Sequence, residues 1–471
     1  MQANIGLPPG PMSWPIIGNL HLLGSQPHQR LTELAKSFGD VYRLQLGSRR
    51  VIVLNSLHYV KETLVKKSGD FSSRPPLHSL KACDIGGRSV AFGPYGPTYL
   101  KNRRLAHLAM HSFLSDPELL SCQITTGLQR LCTRFAEHEE AFDPFADIKN
   151  SIAEINFTYT FGEDVDAKDK DRLSQLLNES SEFVENNKVS NVVDFLPWLN
   201  PVLGGSIVRL QDIVEDLVNF VRTIYCKKKE KFNKKNKVGC VADALVRCYE
   251  NETSERRVAL GEELDLDEEN VITVLTDIFG ASVETTSTSL VWAILYIASH
   301  PHIQDRLYEE LTAVIGQNNI NVNDKHRLPF LEATVLETLR HSTVFPFALP
   351  HYAEHETSVG PYRVPKDTIV FVNLWGINHD EKVFESAFTF DPARFLDENG
   401  EVSRARFSSL PFSAGPRKCL GHVLAQLQLF LLLGGILQKF RLEVSGRPSL
   451  APVFGFSLRP EPFKIRAFPR H

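Results

Sequence analysis

The chain lacks several features that would place it in a common class. It has no run of eighteen or more uncharged apolar residues, so no segment reads as a transmembrane helix. Its seven cysteines, scattered from Cys83 to Cys419 without paired spacing, argue against a disulfide framework and for a reducing compartment. The sequons at Asn156, Asn178 and Asn251 are then chance matches. Cysteine or histidine clusters at zinc spacing are missing too. The formal charge of -4 carries no basic stripe and excludes a typical nucleic-acid binder. What is plentiful is apolar material. With 42% hydrophobic and 10% aromatic residues in 471, the chain can bury a large core and enclose a cofactor.

One stretch organises the rest: Phe412-Ser413-Ala414-Gly415-Pro416-Arg417-Lys418-Cys419-Leu420-Gly421. It leads into the leucine-rich run His422 to Leu433, which reads as a buried helix. Cys419 therefore lies at a helix N-terminus, where unpaired N–H groups and the dipole stabilise a thiolate. Gly415 and Gly421 permit close backbone approach, so a flat cofactor can lie against the loop. Arg417 is placed to pair with a carboxylate on that cofactor's rim. An isolated buried cysteine is usually only a small hydrophobe. The surrounding glycines and arginine argue for a ligand instead.

This F-x-x-G-x-R-x-C-x-G loop, in the last fifth of the chain, resembles the haem loop of the cytochrome P450 superfamily. The resemblance covers essentially the whole chain. It implies a mainly α fold with small β-sheets (α+β), a triangular prism with a long central helix over the haem. Residues 1–471 then form a single catalytic domain, with Gly6 to Pro11 as the proline-rich hinge of microsomal members. Met1 to Ile5 is too short for an anchor or signal peptide, and an anchor ahead of the hinge is expected to be missing from this chain.

In chain order, Leu31 to Phe38 reads as a helix, and Val41–Leu46 and Val51–Leu54 flank Gly47-Ser48 as a hairpin. Phe71 to Gly93 resembles the family's loop over the substrate pocket. There Arg74 is expected to meet a haem propionate and Phe92 a substrate. Tyr99 and Arg103 stand where the family has W-x-x-x-R reaching the propionates. Leu119 to Arg257 is mostly amphipathic helix. Within it Val192 to Leu199 resembles a substrate-access and membrane-contacting segment, and Lys227 to Lys237 reads as a solvated, mobile loop. Asn186 roughly aligns with a ring-A hydrogen-bonding asparagine of steroid-binding members, whose assisting arginine is replaced near Leu217.

Asp267-Glu268-Glu269 predicts the start of the longest helix, running to His300-Pro301. Asp277 and Glu284 in its middle mark it as an interior helix and not a membrane span. Ala281 to Thr285 resembles [AG]-G-x-[DE]-T, with Ser282 in place of glycine. Thr285 can bond back to a carbonyl one turn earlier and admit water beside the haem. Thr285 is then the proton donor, Glu284 its link to solvent, and Ala281 a contact of both haem and substrate. Glu337 and Arg340 fall on one helical face and resemble E-x-x-R, which locks to Arg394 of Pro392-Ala393-Arg394-Phe395. Val344, Phe345 and Phe454 are expected in the substrate pocket and His351 at a propionate. The strands Thr368–Val372 and 454–458 are expected to complete a second sheet.

The family implies non-covalent haem b with an axial cysteine thiolate, dioxygen, and NADPH-derived electrons. NADPH-cytochrome P450 reductase delivers them, with cytochrome b5 as a second donor, at the cytosolic face of the endoplasmic reticulum membrane. The resemblance points to the group holding steroid 17-alpha-hydroxylases and aryl-hydrocarbon hydroxylases. Asp70 to Pro75, Asp194 to Leu199 and Asp277 to Ala281 tilt it to a steroid hydroxylase; Glu337 to Ser342 and Pro350-His351 tilt it towards planar aromatic or xenobiotic substrates. A haem-thiolate isomerase and a non-catalytic haem or lipid carrier are the remaining alternatives.

Overall fold

The computed structural model describes residues 6–84, 86–163, 165–186, 192–233, 237–259, 266–403 and 409–470, with some side chains in 167–186 and 252–259 left undescribed. Helices dominate, and four small sheets flank them.

The N-terminal helix runs Pro27–Phe38, one turn longer than expected because Pro27 suits the first helical turn. Strands Val41–Leu46 and Arg49–Leu54 pair antiparallel around Gly47, whose φ of 54° suits the tight turn. The second of them pairs in parallel with Thr368–Val372, which pairs antiparallel with His351–Ala353. Thr368–Val372 thus joins the first sheet and not a second one. Its β-branched residues suit a strand buried on both faces. Residues 454–458 are not a strand. They form the turn between the short strands Pro452–Val453 and Arg459–Pro460.

The central helix is Glu268–Ser299. Asp267 caps it by accepting from Asn270 N at 3.1 Å, while Asn270 Oδ1 accepts from Asp267 N at 3.0 Å. Several of its hydroxyls bond back within the helix. Thr273 donates to Glu269 O, Thr276 to Ile272 O, Thr285 to Ala281 O and Ser287 to Val283 O. Among the described residues it alone is long and apolar enough to cross a membrane, and it runs largely inside the protein. Helix Pro329–Ser342 and helix His422–Lys439 pack against it and against each other.

The lysine-rich stretch differs from expectation. Lys227 to Lys231 close the helix Gly205–Lys231, with Lys227 paired to Asp169 at 2.6 Å and Lys229 to Glu268. Cations at a helix C-terminus and acids within reach favour helix over loop. Residues 234–236 lie outside the described residues. Asn156 of the first sequon is fully buried and accepts from Gln428, so its site is closed to modification.

Candidate active site: a thiol, a slot and a ring of arginines

Gly415 has a φ of 74°, and a Cβ there would lie 1.8 Å from Leu64 O, so only glycine fits. The loop turns through Gly415–Arg417 in a single 3₁₀ turn, Cys419 N donates to Phe412 O at 3.1 Å, and the next helix starts at His422. Cys419 lies deep in the protein, and burial raises its pKa against the opposing pull of the Gly421 N–H, Arg103 and Lys418. Its surface is nevertheless exposed. A thiol that is both deep and uncovered faces an internal space. The Gly421 N–H at the helix terminus pulls towards the thiolate as the sequence suggests, but burial outweighs it; a bound metal cation favours the thiolate directly.

A second uncovered point lies on the central helix. Gly280 and Ala281 are exposed although the helix around them is buried. A Cβ at Gly280 would sit an ordinary 3.5 Å from Leu217 Cδ2, so helix Gly205–Lys231 covers this point with an apolar side chain. Thr285, one turn beyond Ala281, donates its hydroxyl to Ala281 O at 2.9 Å.

At the rim, three arginines collect on backbone carbonyls. Arg74 donates to Ala91 O at 2.9 Å, Leu349 O at 2.9 Å and Pro350 O at 3.0 Å. Arg417 donates to Ser72 O, Val90 O and Gly93 O at 2.8, 3.0 and 2.7 Å and stacks on Tyr99 at 3.8 Å. Arg103 donates to Lys418 O at 2.5 Å and Tyr99 to Pro416 O at 2.7 Å. His351 is buried and bonds Phe71 O through Nδ1 at 2.8 Å. Burial, reinforced by Arg417 and Arg103, lowers Arg74 to about 9. Burial and the neighbouring Arg74 bring His351 to about 3. Arg417 falls to about 10 by burial.

Among the described residues, no carboxylate comes within 4 Å of these three guanidiniums. Guanidiniums bonded to carbonyls and to no carboxylate, Arg417 buried and Arg74 and Arg103 half-buried, suit an anionic ligand. A flat group with two carboxylates, taking one thiolate at its metal, fits these residues. No group of three His, Cys, Asp or Glu side chains able to hold a metal by itself occurs among the described residues.

Glu337, Arg340 and Arg394 form a buried trio away from the slot. Arg340 grips Glu337 bidentately at 2.7 and 2.8 Å and donates to Asn378 O and Ala387 O; Arg394 adds a 3.0 Å bond to Glu337 Oε1.

Other expected site residues lie elsewhere. Glu284, expected as a link to solvent, is half-buried and tied to the 454–458 turn: its Oε1 accepts from Arg459 at 2.7 Å, Ser457 at 3.1 Å and Thr288 at 3.2 Å. Arg459 was missed because nothing local in the sequence links it to a helix 175 positions earlier. Phe454 points away from Phe345, stacking on His28 at 5.8 Å, and it is Phe456 that packs edge-on to Phe345 at 5.2 Å. Val344 belongs to the main core, with its carbonyl accepting from Leu458 N. Phe92 is half-buried on the segment that feeds carbonyls to Arg74 and Arg417. The side chain of Asn186 lies outside the described residues.

A mainly helical fold with small sheets, with a deep thiol just ahead of a long apolar helix and arginines gathered on its loop, fits a haem-thiolate oxidoreductase. The cytochrome P450 family model matches residues 8–467, and the chain belongs to that family. It is 33% identical to Cytochrome P450 1A1 of Canis lupus familiaris over 98% of this chain and 90% of the relative. It is 34% identical to Cytochrome P450 1A1 of Oryzias latipes, over 98% and 90%. With Cytochrome P450 1A2 of Mesocricetus auratus it shares 32%, over 98% and 92%. The protein is a monooxygenase. It uses haem b with cysteine thiolate ligation, dioxygen and electrons from NADPH-cytochrome P450 reductase, and it acts on small lipophilic substrates.

Proposed function

We propose that this monooxygenase hydroxylates planar aromatic and related xenobiotic compounds, with Cys419 as the axial ligand of its haem. Haem b would supply dioxygen activation when bound. The chain's part is to bind, orient and deliver protons. Arg74, Arg103, Arg417, Tyr99 and His351 would hold its propionates. Thr285 Oγ1, donating to Ala281 O, keeps its lone pairs available to a water beside the slot and passes protons inward. Glu337, Arg340 and Arg394 keep the supporting loops in place. Residues 1–471 act as one catalytic domain on the endoplasmic reticulum membrane, with cytochrome b5 as a second electron donor.

The observation that carries the substrate class is the Leu217 contact over Gly280. The steroid branch of the resemblance has an arginine near that position, and an aliphatic side chain gives a ring ketone nothing to bond. Relatives of the 1A type support the aromatic alternative over the steroid reading. Titrating the ferric enzyme with planar polycyclic aromatics and with progestins, followed by product analysis with NADPH and reductase, tests this. Aromatics are expected to give the tighter spin-state shift; the reverse order returns the steroid reading. Cys419→Ala is expected to lose the thiolate-type spectrum of the reduced carbon monoxide complex, and an unchanged spectrum refutes the ligand assignment.

A further inference from the structure

The segment Ser89 to Gly93 is a strap of backbone hung between two sets of charged groups. Its carbonyls face the cofactor rim. Val90 O and Gly93 O accept from Arg417, and Ala91 O accepts from Arg74. Its N–H groups face the other way. Val90 N donates to Asp277 Oδ2 at 2.5 Å, and Ser89 Oγ donates to the same carboxylate at 2.9 Å to Oδ1 and 3.1 Å to Oδ2. That hydroxyl accepts in turn from Ala91 N at 3.2 Å and Phe92 N at 3.0 Å. The peptide dipoles thus run from a carboxylate on the central helix to guanidiniums at the rim.

Asp277, Ala281 and Thr285 are spaced four apart, so they share one face of the central helix. Ala281 is open to the slot, which places the strap as the next stretch of its wall. We infer that Asp277 is a positioning residue for substrate selection, its carboxylate pinning the 89–93 strap so that this wall keeps one shape. The inference rests on the reading that the slot beside Ala281 receives substrate.

The pin has a pH signature. Every partner facing the carboxyl is a donor, so a proton on it removes an acceptor and weakens the hold. Burial raises Asp277 to about 7, opposed by the Ser89 and Val90 bonds and assisted by Asp84. The other titratable groups around it are known. Asp84 is itself raised by burial, Cys83 is pushed up to about 12 and stays neutral, and Arg74 and Arg417 lie across the strap. The strap is therefore held more firmly at pH 8 than at pH 6.

Hydrogen exchange on the haem-loaded enzyme tests this directly, beside spin-state titrations with naphthalene and the bulkier pyrene. In Asp277→Asn, an amide nitrogen replaces an acceptor oxygen, and strap amides are expected to exchange about tenfold faster while the rest of the central helix is unchanged. The ratio of the two ligands' affinities is expected to shift about threefold towards pyrene. Corrected for intrinsic rates, strap exchange in the natural protein rises from pH 8 to pH 6, and this dependence disappears in the variant. Natural-like exchange and selectivity in the variant, or a persisting pH dependence, overturn the inference. Should that variant not take up haem, Ser89→Ala decides, since it removes the acceptor for the Ala91 and Phe92 amides; unchanged exchange there also overturns it. Failure of both aromatics to shift the natural enzyme's spin state sinks the substrate reading and leaves the exchange result standing.

Discussion

Arg340 has no exposed surface, and neither does its partner Glu337. Such a pair survives burial only because two carbonyls and Arg394 use the remaining bonding capacity. Leaving one member alone costs about 3–5 kcal/mol. His28 is the opposite case. It is fully buried between Trp375 and Phe454, and neither ring nitrogen has a protein partner. Burial lowers its pKa to about 4. Because the folded value lies below the unfolded one, the unfolded chain takes up the proton first as pH falls. Stability is thus lost on acidification from about 6.5 towards 4. His28→Leu is expected to raise the midpoint at pH 7 by the equivalent of about 1 kcal/mol, by removing an unsatisfied buried group. Its decline between pH 7 and pH 5 should also be shallower, as thermal unfolding at several pH values would show. A steeper decline contradicts this account. Neither His28 nor the Glu284–Arg459 pair was legible in the sequence, because both depend on which distant element covers the residue. Glu337 and Arg340 were legible, being three apart on one helix, and Arg394 only through its motif.

Elements were legible where their punctuation is local. Asp267 with the acids after it marked the central helix to within a residue, and Gly47-Ser48 marked the hairpin. The 454–458 turn and the lysine-rich helix end were misread, since a short apolar stretch and charge density each fit two backbone states until tertiary partners choose. In the central helix, the hydroxyl of Thr285 adds a bond to a carbonyl that the helix already uses. Thr285→Ala should therefore leave folding and haem content within about 0.5 kcal/mol, as for a substitution touching no buried network. Its cost falls on proton delivery. The fraction of NADPH electrons recovered as hydrogen peroxide is expected to rise severalfold, with product formation falling by about 10²-fold at most. Tight coupling in this variant would remove Thr285 from the proton path and leave the helix geometry untouched.

At the scale of the whole molecule, two stretches carry strongly exposed apolar side chains close together in the fold. Trp14 and Ile16 are 60% and 73% exposed, and Trp198 and Val202 are 63% and 80% exposed. A single exposed tryptophan is ordinary, but these stretches meet at one hairpin turn. Gly47 N donates to Ile17 O at 3.1 Å and Ser48 N to Phe195 O at 2.9 Å, and a Cβ on Gly47 would lie 2.2 Å from Phe195 O. Asp194 fixes the second stretch from the other side by accepting from Ser79 N at 3.0 Å. Exposed apolar groups on two stretches joined at one turn suit contact with a lipid surface. Burying a large apolar side chain yields about 1.5–3 kcal/mol. Replacing both tryptophans, Trp14→Ser with Trp198→Ser, should therefore weaken partitioning onto phosphatidylcholine vesicles by about 10²-fold in cosedimentation. The reduced carbon monoxide spectrum should stay unchanged, because neither ring touches the haem rim. Equal partitioning of the natural and substituted proteins would mean that these stretches meet something other than lipid.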